Sequence, residues 1–177
     1  MRLLLRALPI ALLIVVGACV PQPVAPPAPP APAPMPRPQP LPAPMPTSSD
    51  WRDWPLTPGT WTYRRDGRGS LALFGRAGAD ALLTLRCDLP NRQIFLSRAG
   101  SVLSPLTIRT TSTTRALPMR PTGGTPPYVA TALAPNDSLL DAIGFSRGRF
   151  VVQQGGAATL VIPAWAEIER VTEDCRG

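Results

Sequence analysis

From residue 59 onward, apolar and polar side chains alternate with a period of two, broken at short intervals by Gly, Pro, Asn and Asp. That combination predicts short strands joined by turns. In residues 59–65, Trp61 and Tyr63 alternate with Thr60, Thr62 and Arg64. Asp66-Gly67-Arg68-Gly69 has the chemistry of a hairpin turn. Residues 70–75 return with Leu71 and Leu73 on one face and Ala72 and Phe74 on the other. Residues 81–87 read as a more buried strand. Asp88-Leu89-Pro90-Asn91 then turns the chain into residues 92–98, where Ile94 and Leu96 alternate with Gln93, Phe95 and Ser97. Residues 106–117, rich in Thr, predict one long strand or a bent pair. Residues 118–127 read as a Pro/Gly loop and 128–133 as a further strand.

The period then changes. Pro135-Asn136-Asp137-Ser138-Leu139-Leu140-Asp141-Ala142-Ile143-Gly144 predicts a short helix, capped by Asn136 or Ser138. Ser138 and Asp141 have capping-box spacing, and Gly144 is placed to end the helix. Residues 149–153 and 157–162 form a hairpin about Gln154-Gly155-Gly156. After Pro163, Trp165, Ile168 and Val171 recur three apart, and Cys175 is four further on, which is one helical face. The fold expected for residues 50–177 is mainly β: an antiparallel β-sandwich or partly open barrel with two short helices. A domain of that length can bury one modest core.

The first 49 residues follow other rules. Arg2 and Arg6 make a positive start, and an apolar stretch at 7–16 follows, broken only by Pro9. A spanning helix needs about 20 apolar residues, so this stretch reads as a secretory signal. Residues 21–46 hold 14 prolines in 26 positions. Proline fixes φ and removes the backbone donor, which excludes both helix and sheet. The expected state is a disordered linker biased to polyproline II, with a reach of roughly 80 Å at about 3.1 Å per residue.

Between these two segments stands Val16-Gly17-Ala18-Cys19, which resembles the lipobox of bacterial lipoproteins. The resemblance implies cleavage before Cys19, a diacylglyceryl group on its thiol and usually an acyl group on the new amine. It divides the chain into a signal peptide (1–18), a lipidated cysteine with its proline-rich linker (19–49) and one folded domain (50–177). Position 20 is Val rather than the Asp that resembles an inner-membrane retention signal, so an outer-membrane anchor with a periplasmic domain is expected. Within the domain, the stretches from Asp137 to Phe150 and from Ile162 to Arg176 resemble a family of uncharacterised alphaproteobacterial lipoproteins. So do Leu85-Arg86-Cys87 and Thr110-Thr111-Ser112. That family carries no catalytic residues across. A strand ending Leu-Arg-Cys with a second cysteine near the C-terminus is also similar to the invasion-associated locus B β-sandwich proteins.

Charge and cysteine usage fit export. All 18 basic residues are arginine; losing Arg2 and Arg6 leaves 16 against 11 Asp and Glu, a net charge of +5. Such a surface attracts acidic partners, but the arginines are scattered, and nucleic acid is not expected outside the cytoplasm. With Cys19 lipidated, Cys87 and Cys175 remain as an even pair in an oxidising compartment, which points to a disulfide. Two separate buried thiols are the alternative.

The catalytic inventory is thin. Without histidine or lysine, Ser-His-Asp, Cys-His and Ser-Lys arrangements, Schiff-base lysines and histidine metal sites are all excluded. No phosphate-binding glycine loop is present. Asp137 and Asp141 share a helix face and Glu167 and Glu169 diverge; such acids ordinarily serve helix N-termini, although paired carboxylates can hydrolyse glycosides. Arg147 and Arg149 flank Gly148 and are the candidate anion or partner contacts. Trp61 and Trp165 are expected in the core, and Trp51 and Trp54 over an open end of the sheet. No catalytic residue, metal or cofactor is expected. The expected role is non-enzymatic binding, scaffolding or envelope maintenance. The alternatives are a carboxylate enzyme acting on cell-wall glycans, or an inhibitor or assembly factor of an envelope complex. Expected partners are the membrane through the N-terminal lipid and an envelope protein or peptidoglycan.

Overall fold

A computed structural model describes residues 48–177; the expected signal peptide, Cys19 and the proline-rich segment lie outside the described residues. After a 3-10 turn at Trp51–Asp53 come ten strands and two helices. The strands are β1 (Thr60–Asp66), β2 (Gly69–Gly75), β3 (Leu83–Asp88), β4 (Gln93–Ala99), β5 (Leu106–Arg109), β6 (Thr114–Leu117), β7 (Arg120–Pro121), β8 (Tyr128–Leu133), β9 (Arg149–Gln154) and β10 (Leu160–Pro163). Helix α1 (Ser138–Gly144) lies between β8 and β9, and α2 (Ala166–Arg176) ends the chain.

All pairings are antiparallel, in two sheets ordered β1-β2-β3-β4-β8-β7 and β10-β9-β5-β6. The described residues therefore form a sandwich of two sheets and no closed barrel. Register places Trp61 opposite Phe74, Ala72 opposite Leu85 and Cys87 opposite Ile94, all buried on one face of the first sheet. That face packs against Leu106, Ile108, Phe150, Val152 and Ile162 of the second sheet and against the apolar sides of α1 and α2. Of the two faces of β2, the one carrying Ala72 and Phe74 turns inward. Trp61 rests 5.4 Å from the Phe74 ring centroid, and its Nε1 donates to the Pro163 carbonyl at 2.8 Å. An indole buried this way keeps its one donor satisfied.

Residues 106–117 are a hairpin pair rather than one strand. Thr110 breaks them: its Oγ1 accepts from the N–H groups of Ser112 and Thr113 at 3.3 and 3.0 Å, so a hydroxyl replaces the ladder bonds of a straight strand. The expected 118–127 loop contains β7, whose Pro121 pairs with Val129 at the sheet edge, where a missing donor costs nothing.

Helix α1 is capped by neither Asn136 nor Ser138. Asp137 is the cap: its Oδ1 accepts from Leu139 N–H at 2.8 Å while Arg115 grips both carboxylate oxygens at 2.8 and 2.6 Å. A cross-sheet arginine thus selects among three adjacent capping residues. Gly144 ends the helix without a left-handed turn; a Cβ there would sit 1.4 Å from Glu169 Oε1, so glycine lets α2 come close. The Arg115 contact, helped by the Leu139 N–H, holds the Asp137 carboxyl below its ordinary pKa. A depressed native value means that this contribution to stability is present above the unfolded-state pKa and is lost as pH falls through the native one. Asp137→Ala is expected to cost about 1–2 kcal/mol at neutral pH and to flatten the acid limb of stability, as read from urea midpoints between pH 2 and 7. An unchanged midpoint at neutral pH would refute the assignment.

Helix α2 returns to the first sheet. Ile168, Val171, Thr172 and Cys175 are buried against it, and Cys175 is disulfide-bonded to Cys87 of β3 with Cα atoms 5.4 Å apart. On the flank facing β1, Tyr63 Oη and Arg65 both donate to the Asp174 carboxylate, and the Arg170 guanidinium lies 3.9 Å from the centre of the Tyr63 ring. Trp165 departs from the expected core face. It is the residue before the helix, in extended backbone, and is 46% exposed. The three-residue spacing that ties it to Ile168 holds only where the backbone is helical.

Candidate functional site

The second sheet has an outer face with two buried valines, Val151 of β9 and Val161 of β10, beneath Trp51 and Trp54. Trp51 is only 2% exposed, and the guanidinium groups of Arg52 and Arg109 lie 5.0 and 5.4 Å from the centre of its ring. Cations over an indole face are attracted by the ring quadrupole. The segment after these tryptophans closes the β10 edge: Thr57 N–H donates to the Val161 carbonyl at 2.8 Å, and Val161 N–H donates to Thr57 Oγ1 at 2.9 Å. Trp51 and Trp54 therefore cover the second sheet. The Trp54 Nε1 donates to the Ser48 carbonyl at 2.7 Å, so the N-terminal segment joins the domain here.

Arg147 and Arg149 lie at the same end but do different things. The Arg149 guanidinium donates to the Trp54 carbonyl, in the strap of residues 51–57 that covers the second sheet. Arg147 is exposed; its backbone N–H donates to Thr111 Oγ1 at 3.3 Å, and its guanidinium makes no ion pair among the described residues. Their connection is held tightly. Ser146 Oγ donates to the Arg149 carbonyl at 2.6 Å and accepts from Thr111 N–H at 3.2 Å. Gly148 has φ of 75°, and its carbonyl accepts from Ala164 N–H at 3.4 Å, which brings the β10–α2 connection alongside.

Two aromatic rings project from these adjoining connections. Phe145 is 73% exposed and Trp165 46%. Sequence reasoning missed Phe145 because it follows a short helix, outside any periodic run. Its signal is a large aromatic set between Gly144 and Ser146-Arg147-Gly148, a segment otherwise of small and charged residues.

Two of the four acidic candidates are held by arginine. Asp137 is bound by Arg115 and Asp141 by Arg176 at 2.7 Å, while Asp66 and Asp88 hold Arg86 and Arg68. Glu169 differs. It lies against Gly144, its Oε1 is buried without a hydrogen-bond partner, and its pKa is raised by burial and by Asp141, with Arg176 pulling the other way. Glu167 is half-buried in the first turn of α2. No cluster of three metal-binding side chains occurs among the described residues. Arg98 of β4 points between the sheets and donates to the Ala158 carbonyl, and burial lowers its pKa. Comparison with protein-family models, curated proteins and solved structures found no match for this chain.

Proposed function

We propose that the chain is a lipid-anchored envelope protein whose folded domain binds or scaffolds rather than catalyses. The observation that carries this reading is Val16-Gly17-Ala18-Cys19 directly after a short apolar segment with two arginines before it. The proline-rich segment that follows suits a spacer between anchor and domain. The disulfide suits an oxidising compartment. Six of the eleven carboxylates are paired with arginine, which supports a surface built for contact over one built for acid–base chemistry. Among the described residues no helix is long and apolar enough to cross a membrane. The outer membrane is the proposed anchoring site, with the domain in the periplasm.

The test is the mass of the N-terminal peptide of protein extracted from membranes. A peptide beginning at Cys19 and carrying thioether-linked diacylglyceryl is the expected result. A mature chain that starts elsewhere, with a free Cys19 thiol, would overturn the proposal. The competing glycan-hydrolase reading draws on Glu169, whose raised pKa beside Asp141 resembles a general acid near a second carboxylate. It requires Glu169→Gln to abolish release of soluble fragments from purified peptidoglycan.

A further inference from the structure

Phe145, Arg147 and Trp165 lie within a few residues of one backbone contact, Ala164 N–H to the Gly148 carbonyl. Leu56, 45% exposed, lies on the strap that Arg149 grips at Trp54. Phe145 and Trp165 thus stand on adjoining connections, with Arg147 in the same loop as Phe145. Neither aromatic is exposed through looseness. Phe145 N–H donates to the Asp141 carbonyl at 2.9 Å, and Ser146 Oγ pins the next turn to Arg149. Trp165 is held between β10 and the first turn of α2, its carbonyl accepting from Ile168 N–H at 3.2 Å. A ring three-quarters exposed on a braced loop projects from the surface rather than lining a groove. The described clefts of about 400 and 420 Å³ lie elsewhere, on the outer side of the first sheet.

Projecting Phe and Trp beside arginine suit the boundary layer of a bilayer. Aromatic rings rest at headgroup level there, and guanidinium groups meet phosphate. The strap receives the N-terminal segment, since Ser48 is bonded to Trp54. A chain anchored at Cys19 would enter the described domain at Ser48, beside Trp54. We propose that the Phe145–Arg147 loop and Trp165 form a peripheral docking tip for an anionic phospholipid surface, holding the domain against the membrane to which the stalk ties it. This rests on the envelope-lipoprotein reading for the identity of the membrane; the docking chemistry belongs to the domain itself. The preorganised loop lets the aromatics insert without first being ordered. Arg147 supplies the preference for negative headgroups, which weakens as salt screens it.

The experiment is flotation with vesicles of a chain comprising residues 20–177, which keeps the folded domain and its disulfide and lacks the lipidated cysteine. Vesicles of phosphatidylcholine with phosphatidylglycerol are compared with phosphatidylcholine alone. The expected result is binding to the anionic vesicles with a blue shift of tryptophan emission, weakened at least tenfold in Phe145→Ser/Trp165→Ser. Arg147→Glu should remove most of the preference for anionic lipid. All three positions are exposed, and circular dichroism with a thiol titration confirms that each variant is folded and oxidised. No flotation of the wild-type chain at low salt, or equal flotation of the double variant, would overturn the proposal. So would a photocrosslinker at position 145 that captures an envelope protein while vesicles are ignored. Because this chain has no Cys19, the outcome is independent of the lipidation measurement, and the two readings can fail separately.

Discussion

Removing the Cys87–Cys175 bridge is expected to lower the unfolding free energy by about 4–5 kcal/mol, the value that chain entropy assigns to a loop of this length. The two cysteines are 88 positions apart, so the loop holds everything from the end of β3 to the last turn of α2. Domains of this size have a net stability of about 5–15 kcal/mol, of which the bridge is a large share. The loss should begin at α2. An 11-residue helix is marginal alone in water. Without the bridge it is held by one apolar face, by the Tyr63–Asp174–Arg65 contacts and by Arg176 on Asp141, and these polar contacts are partly exposed and salt-sensitive. Urea unfolding of the oxidised protein, the reduced protein and the Cys87→Ser/Cys175→Ser variant gives the measurement. Coincident midpoints would show that the bridge contributes nothing beyond the packing of α2.

Gly69→Ala should be nearly as damaging, at about 3 kcal/mol or more, from strained backbone and overpacking together. Gly69 begins β2 with φ of +144°, which side-chain-bearing residues rarely adopt. A Cβ there would lie 2.5 Å from the carbonyl oxygen of Cys87. That oxygen cannot retreat, because Cys87 sits within the first sheet and is covalently tied to α2. Gly67, two residues earlier in the same turn, faces open space, and Gly67→Ala should change stability by no more than about 0.5 kcal/mol. Thermal unfolding of the two variants side by side isolates the effect. A Gly69→Ala protein as stable as Gly67→Ala would mean that the β2–β3 approach yields more readily than the geometry implies.

This pair of glycines shows where reading a sequence stops. Asp66-Gly67-Arg68-Gly69 announces a hairpin, because turn chemistry is local and written in consecutive residues. Which glycine is indispensable depends on Cys87, a strand away. The α1 cap follows the same logic. Asn136, Asp137 and Ser138 are all competent caps, and only Arg115 from β6 chooses among them. Alternation placed Ile94 and Leu96 inside, and by the same parity Arg98, whose long side chain spans the gap to Ala158. Trp165 and Phe145 fall at the ends of helices, where periodicity no longer tells inside from outside.

By itself the sequence determined the mainly antiparallel β class, most strand limits, the two helices, the even cysteine pair and the turn positions. Each of these follows from backbone chemistry or side-chain period over a few neighbouring residues. Tertiary structure alone decided the division of strands between two sheets, which carboxylates pair with which arginines and the seating of Trp51 and Trp54 on the second sheet. It alone also brought the Phe145 loop beside Trp165. Most of these outcomes join residues twenty or more positions apart. They are set by which faces can bury one another once the chain has closed on itself, and no local period records that.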